Sequence, residues 1–105
     1  MTGAGPSLRS LVAELGAGWP DARAVVRDDE TEWSRGGVLF GVVGDAALEV
    51  RLDPAVGAAA LRTPDATRST RGEPWVRFAP RQLDGHAVDR ATAWFGLAYR
   101  RAITT

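Results

Sequence analysis

The chain has 105 residues, of which 45% are apolar and 25% are charged, as is typical of a globular domain. Its 13 basic residues balance 13 acidic ones, and this neutral total excludes a strongly basic nucleic-acid-binding chain. The sequence contains no Cys, which excludes disulfide bonds and thiolate metal sites. From the length we expect one α+β domain over residues 1–105, with residues 1–6 flexible.

The N-terminal sequence shows no basic region followed by an apolar one, so no secretory signal is predicted. The apolar runs are also far shorter than the roughly 20 residues that a membrane helix needs. We therefore expect a cytoplasmic protein that has no membrane partner.

Along the first half of the chain, the apolar pattern predicts one helix followed by four short strands. Ser7 is a suitable N-cap for the helix, whose apolar residues recur at helical spacing from Leu8 to Leu15. The strands are predicted over residues 22–27, 31–34, 38–43 and 48–52. The turns between them are too short for crossover connections, so the strands are expected to pair antiparallel.

Alternation within these strands predicts which side chains face the core. Trp33 is expected to point inward from the second strand. In the third strand, Val38, Phe40 and Val42 are expected to share one face. Residues 48–52 show the clearest alternation of apolar and polar side chains, which indicates a strand that is buried on one face only.

The second half of the chain predicts a helix, a strand and a longer helix. Asp53 is expected to cap a helix that begins at Pro54 and runs to about Leu61. Residues 63–71 combine Pro, Ser, Thr and charged residues without periodicity, so this segment is predicted to be irregular. Residues 75–78 then predict a short strand between two prolines.

The longest helix is predicted to begin after an N-cap at Asp84 and to run to about Ile103. Its apolar stripe, which includes Ala91, Phe95 and Ala98, is expected to pack on the sheet. The order of elements is therefore α-β-β-β-β-α-β-α. This order predicts an α+β fold in which an antiparallel sheet of about four to five strands has its helices packed on one face.

Few residues in the chain are suited to catalysis or to metal binding. His86 is the only His, and no nucleophile or carboxylate pattern accompanies it. The acidic residues over 28–32 lack the spacing of a calcium-binding loop and are interpreted as a charged turn. The glycines over 36–44 match no phosphate-binding motif. No catalytic residue, metal site or cofactor is therefore predicted, and an enzymatic role is not favoured.

Arginines interleaved with an aromatic residue form the one candidate binding surface in the sequence. Its residues are Arg68, Arg71, Trp75, Arg77 and Arg81. Such a pattern can clamp phosphates and stack bases. It is also typical of a strand that has one face in the core and the other in solvent. In either case, alternation places Trp75 and Arg77 on one face, and Val76 and Phe78 on the other.

Three segments of the chain, over residues 48–54, 71–80 and 84–95, carry a resemblance to a known family. With them, residues 38–102 resemble small actinobacterial proteins labelled luciferase family or luciferase domain-containing. Flavin-dependent luciferases are similar to (β/α)₈ barrels, which need about 250 residues. The resemblance therefore implies no flavin site, no light emission and no oxidoreductase chemistry for this chain.

The order of elements is also similar to that of the TfoX N-terminal and MmcQ/YjbR-like domains, some of which are linked to DNA binding through winged surfaces. Architecture alone is a weak guide to function. The first hypothesis is therefore a non-enzymatic binding or interaction module for a protein or a small ligand. The alternatives are a nucleic-acid-associated winged domain, which is not favoured, and a small flavin- or ligand-binding protein.

Overall fold

The computed structural model describes residues 7–102, which form three helices and six strands. In chain order these elements are α1 (Leu8–Ala17), β1 (Ala22–Arg27), β2 (Glu30–Arg35), β3 (Val38–Val43), β4 (Leu48–Arg51), α2 (Pro54–Ala60), β5 (Ala66–Arg68), β6 (Trp75–Phe78) and α3 (Gly85–Ala102). The segment 1–6, which is predicted to be flexible, lies outside the described residues. So does Ile103, the predicted end of the last helix. None of these helices is long and apolar enough to cross a membrane.

All six strands belong to one antiparallel sheet in the order β1-β2-β3-β4-β6-β5. The helices pack on one face of this sheet, as the buried residues of α1 and α3 and the contact of α2 with β6 show. The α+β prediction is therefore confirmed, with one strand more than the four to five expected. The order of elements is α-β-β-β-β-α-β-β-α.

The additional strand is β5, which lies inside the segment 63–71 that the sequence predicts to be irregular. It pairs with β6, with Ala66 opposite Phe78 and Arg68 opposite Val76. None of its residues is fully buried. A three-residue edge strand is held by its backbone hydrogen bonds, and its side chains show no apolar alternation from which it could be predicted.

A β-bulge in β3 changes which of its side chains face the core. The register between β2 and β3 skips Phe40, which is therefore an extra residue on this strand. Phe40 and Val38 pack with the core, but Val42 pairs with Glu49 on the opposite face. The prediction that Val38, Phe40 and Val42 share one face is wrong, because the bulge shifts the alternation by one residue.

The predicted helix starts are confirmed at all three helices. The Ser7 hydroxyl accepts from the Ser10 backbone N–H at 3.0 Å, and the Ser10 hydroxyl in turn accepts from the Ser7 N–H at 3.1 Å. Asp53 and Asp84 each accept one backbone N–H of the first turn that follows, at 3.0 and 2.9 Å. These side chains satisfy N–H groups that a helix cannot satisfy internally.

Phe95 of α3 is the centre of the core. Its ring is fully buried and lies 5.3 Å from Phe40, 5.4 Å from Trp19 and 5.7 Å from Trp33, measured between ring centroids. These partners come from the loop after α1, from β2 and from β3. One side chain of α3 therefore joins the sheet to the N-terminal part of the chain, and Trp33 faces inward as predicted.

Two buried glycines allow aromatic rings to lie directly on the backbone. A Cβ atom at Gly16 of α1 would lie 2.2 Å from the Trp33 ring, and one at Gly41 of β3 would lie 2.8 Å from the Phe95 ring. No neighbouring ring can remain in place at these distances. Both positions therefore require glycine for close packing.

Candidate binding surface on the open face of the sheet

The sheet face opposite the three helices, here called the open face, carries the candidate surface. Residues that are paired across antiparallel strands share a face. Glu49 of β4 is paired with Arg77 of β6, and Arg51 is paired with Trp75. Glu49 is also paired with Val42 of β3, which is on this face but only 1% exposed. The four side chains of β4 and β6 therefore form one continuous patch of the open face.

The alternation predicted for β6 is confirmed. Val76 and Phe78 are at most 1% exposed and pack under the helices, whereas Arg77 is exposed on the open face. Trp75 is half-buried on the same face. The strand therefore contributes its apolar residues to the core and leaves Trp75 and Arg77 on the patch.

The five predicted surface residues do not form one site. Trp75, Arg77 and Arg71 lie on or over the open face. Arg68 is paired with buried Val76, so its Cβ is on the helix side of the sheet. Arg81 follows the last strand and lines a separate hollow with His86. The structure therefore brings Arg71, Trp75 and Arg77 together on the open face. It places Arg68 on the helix side of the sheet and Arg81 in the loop after β6.

Glu49 is held by two side chains from the hairpin of β5 and β6. One carboxylate oxygen accepts from the buried Ser69 hydroxyl at 2.6 Å, and the other accepts from Arg71 Nε at 3.0 Å. The Arg71 guanidinium also lies 3.8 Å from Glu30 and 5.5 Å from the Trp75 ring centroid. Arg71 is therefore occupied by contacts within the chain, and both Glu49 oxygens are already bound.

Although Glu49 is paired with Arg77, its two carboxylate oxygens are bound to Ser69 and Arg71, and no ion pair joins it to Arg77. Within residues 7–102, neither Arg77 nor Arg51 has an ion-pair partner. The two arginines are diagonal neighbours across β4 and β6, a relation that places Cβ atoms about 7–8 Å apart. Two guanidinium groups at this spacing can contact one anionic group, with Trp75 beside them as a flat apolar surface.

Arg51 belongs to the patch but is not among the surface residues that the sequence pattern predicts. Its place on the polar side of β4 follows from the alternation over 48–52, but its proximity to Arg77 does not. That proximity requires β6 to pair with β4, although α2 and β5 lie between them in the chain. Only the order of strands in the sheet brings the two arginines together.

A second polar cluster joins the loop before β1 to α3. The Tyr99 hydroxyl donates to the Asp21 carboxylate, which also accepts from Arg35 Nε at 2.7 Å. The Arg35 guanidinium lies 4.0 Å from the centroid of the Tyr99 ring, which stacks on Trp19 on the core side. These hydrogen bonds, first from Tyr99 and then from Arg35, lower the pKa of Asp21. The bond to Asp21 is also the main cause that raises the pKa of Tyr99.

Tyr99 is the only tyrosine of the chain, so its titration can be followed by phenolate absorbance. We expect its pKa in the folded protein to lie above the ordinary value of 10.0, and to fall towards that value in Asp21→Ala, which removes the largest cause of the increase. Because the folded-state pKa is raised, the stability from this hydrogen bond is present below the ordinary tyrosine pKa. It is lost as the pH rises through the raised pKa. A folded-state pKa at or below 10.0 in the unsubstituted protein would contradict this assignment.

A groove of about 380 Å³ lies on the other side of the sheet, between α2 and β6. Its walls include Gly57, Leu61 and Pro74, and Arg68 and Glu73 stand at its rim 3.7 Å apart. Among the described residues, no group of three or more His, Asp or Glu side chains is placed to hold a metal ion. The groove is the place where the small-ligand alternative would apply.

No family model matches the chain, and no curated protein matches it. The resemblance to the small luciferase-domain proteins, carried by residues 48–54, 71–80 and 84–95, therefore stays a prediction from the sequence.

Proposed function

We propose that this chain is a non-enzymatic binding module that recognises an acidic segment of a partner protein on its open sheet face. The observation that supports the proposal most is the pair of Arg51 and Arg77. They are close together beside Trp75, and within the described part of the chain neither has an ion-pair partner. A carboxylate can accept two parallel hydrogen bonds from a guanidinium group, so one or two acidic side chains would suffice for recognition.

The charges around the two arginines favour an acidic protein segment over a nucleic acid. A hollow beside Arg77 is lined by four acidic residues, Asp29, Glu30, Asp45 and Glu49. A nucleic acid carries a phosphate at every nucleotide, and its backbone would meet these carboxylates as well as the arginines. A short peptide can place its carboxylates at Arg51 and Arg77 and direct an apolar side chain onto Trp75.

We also propose that the chain is a relative of the small luciferase-domain proteins, because residues 48–54, 71–80 and 84–95 resemble them. This relation adds no flavin chemistry to the binding role. The winged-domain and ligand-binding alternatives leave two other ligands to be tested beside the acidic peptide, namely DNA and flavin mononucleotide.

The proposal predicts that Arg51→Ala and Arg77→Ala each weaken binding of a fluorescently labelled Glu-Glu-Leu-Glu peptide. We expect a loss of about fivefold for each, since an exposed charge pair contributes up to about 1 kcal/mol. Fluorescence anisotropy measures this loss. The melting temperature should barely change, because neither side chain has an ion pair within residues 7–102 to lose.

Two controls make the experiment specific. Arg81→Ala removes the same charge from the loop after β6, away from the patch, and should leave peptide affinity unchanged. A Gln-Gln-Leu-Gln peptide should not bind. Equal affinity of the unsubstituted protein for both peptides would refute the proposal.

DNA binding that weakens with salt and is lost in Arg77→Ala would replace the acidic partner by a nucleic acid. Quenching of Trp fluorescence by flavin mononucleotide would favour the ligand-binding alternative.

A further inference from the structure

β1 is an edge strand whose outer side has no partner strand in the sheet. It is the longer of the two edges, with six residues against three in β5. It also carries the large apolar side chains that are most exposed, Val25 at 47% and Val26 at 72%. Two devices that often protect an edge are absent from β1, because residues 22–27 contain no Pro and pair with β2 without a bulge; its interior carries one charged residue, Arg23.

The hairpin geometry determines which backbone groups of β1 face the free edge. Alternate residues of an edge strand direct N–H and C=O away from the paired neighbour. The loop between β1 and β2 has two residues, so the flanking pair Arg27 and Glu30 exchanges hydrogen bonds within the hairpin. Along β1 the direction of the backbone groups alternates from Arg27 backwards. The residues whose N–H and C=O groups point to the free edge, here called outward-facing, are therefore Ala22, Ala24 and Val26.

We propose that two copies of this chain pair through β1, antiparallel and about a twofold axis at Ala24. In this register Ala24 lies opposite its own copy, and Ala22 lies opposite Val26 of the second copy. Every outward-facing residue then exchanges hydrogen bonds with an outward-facing residue. Because the axis is perpendicular to the sheet, the two six-stranded sheets become continuous and the helices of both copies lie on the same side.

The side chains of β1 favour this register over its neighbours. It places Arg23 opposite Val25 of the second copy, so the aliphatic part of the arginine covers the exposed valine. A pairing centred on Val25 would instead place Arg23 opposite Arg27, and like charges directly opposite are unfavourable. A pairing centred on Val26 would overlap only residues 25–27 of the strand. The contact is small and is expected to give a weak dimer whose population depends on concentration.

The test uses position 24, which pairs with itself. Ala24→Lys and Ala24→Glu each place like charges across the axis, and we expect each to raise the dissociation constant of the dimer by about fivefold. An equimolar mixture of the two variants should associate again, because Lys then lies opposite Glu. Sedimentation equilibrium measures the average mass against the 11.2 kDa of one chain. Thr67→Lys, on the opposite edge strand β5, is the matched control and should dimerise normally.

Amide hydrogen exchange gives a second measurement on the unsubstituted protein. As the protein concentration rises, exchange should slow at Ala22, Ala24 and Val26 and stay unchanged at Arg23 and Val25. A chain that remains monomeric at every concentration would overturn the proposal, whether or not β1 binds a strand of another protein. It would also be overturned if both variants dimerise as the unsubstituted chain does, or if their mixture associates no better than either alone. This inference is independent of the binding role proposed for Arg51 and Arg77.

Discussion

Phe95→Ala is expected to lower the free energy of unfolding by about 3–5 kcal/mol, the range found when a buried Phe is truncated to Ala. The ring is fully buried and contacts three other aromatic rings, those of Trp19, Trp33 and Phe40. Removing it takes away three aromatic contacts and leaves a cavity between α3 and the sheet. Native proteins have total stabilities of only about 5–15 kcal/mol, so this single substitution should remove a large fraction of the total.

Urea unfolding followed by Trp fluorescence measures this effect directly, because Trp19 and Trp33 report on the same cluster. Leu97→Ala is the matched control, since Leu97 is on the same helix but only half-buried against the core. Its loss of stability should be clearly smaller than that of Phe95→Ala. A loss below about 1 kcal/mol for Phe95→Ala would mean that the core is not centred on this ring.

The substitutions Gly16→Ala and Gly96→Ala are expected to change stability in opposite directions. Both glycines are inside α-helices, where replacement by Ala alone gains about 0.5–1 kcal/mol. At Gly96 of α3, a Cβ meets no other atom within 4 Å, so this gain should be observed. At Gly16 a Cβ would lie 2.2 Å from the ring of Trp33, which is itself only 7% exposed. We expect a net loss of about 1–3 kcal/mol there, since overpacking forces buried groups to shift.

Thermal and urea unfolding of the two variants, compared under one condition, tests this pair of predictions. Each variant serves as the control for the other, because both introduce the same methyl group into a helix. If Gly16→Ala were as stable as Gly96→Ala, the close contact between α1 and Trp33 would not exist in solution. Sequence alone does not distinguish the two glycines, since helix propensity gives both substitutions the same sign.

Much of the fold could be predicted because the responsible signals are local. The N-caps at Ser7, Asp53 and Asp84 each act on a helix that begins one residue later. The alternation over 48–52 reflects a strand that is buried on one face only, and the structure shows that pattern in β4. Signals of this kind depend on neighbours within a few residues, which the sequence displays directly.

The features that could not be predicted depend on residues distant in sequence. β5 exists because β6 offers it a hydrogen-bonding edge, and nothing within 63–71 records that edge. The bulge at Phe40 leaves the apolar run of β3 unchanged and alters only its register with β2. The candidate surface is a similar case. Arg77 is evident from its own strand, but its partner Arg51 depends on strand order.

The insertion of β6 between β4 and β5 has a consequence for the order in which the domain is completed. While only the residues up to Arg51 have left the ribosome, the strands β1–β4 are available to pair, and β4 is then the last strand of the sheet. In the folded domain the apolar side of that meander packs against Phe95, which is synthesised later. Until α3 has also emerged, only α1 is available to cover the apolar side of this meander. Contacts between distant parts of the sequence then close the core in one late step.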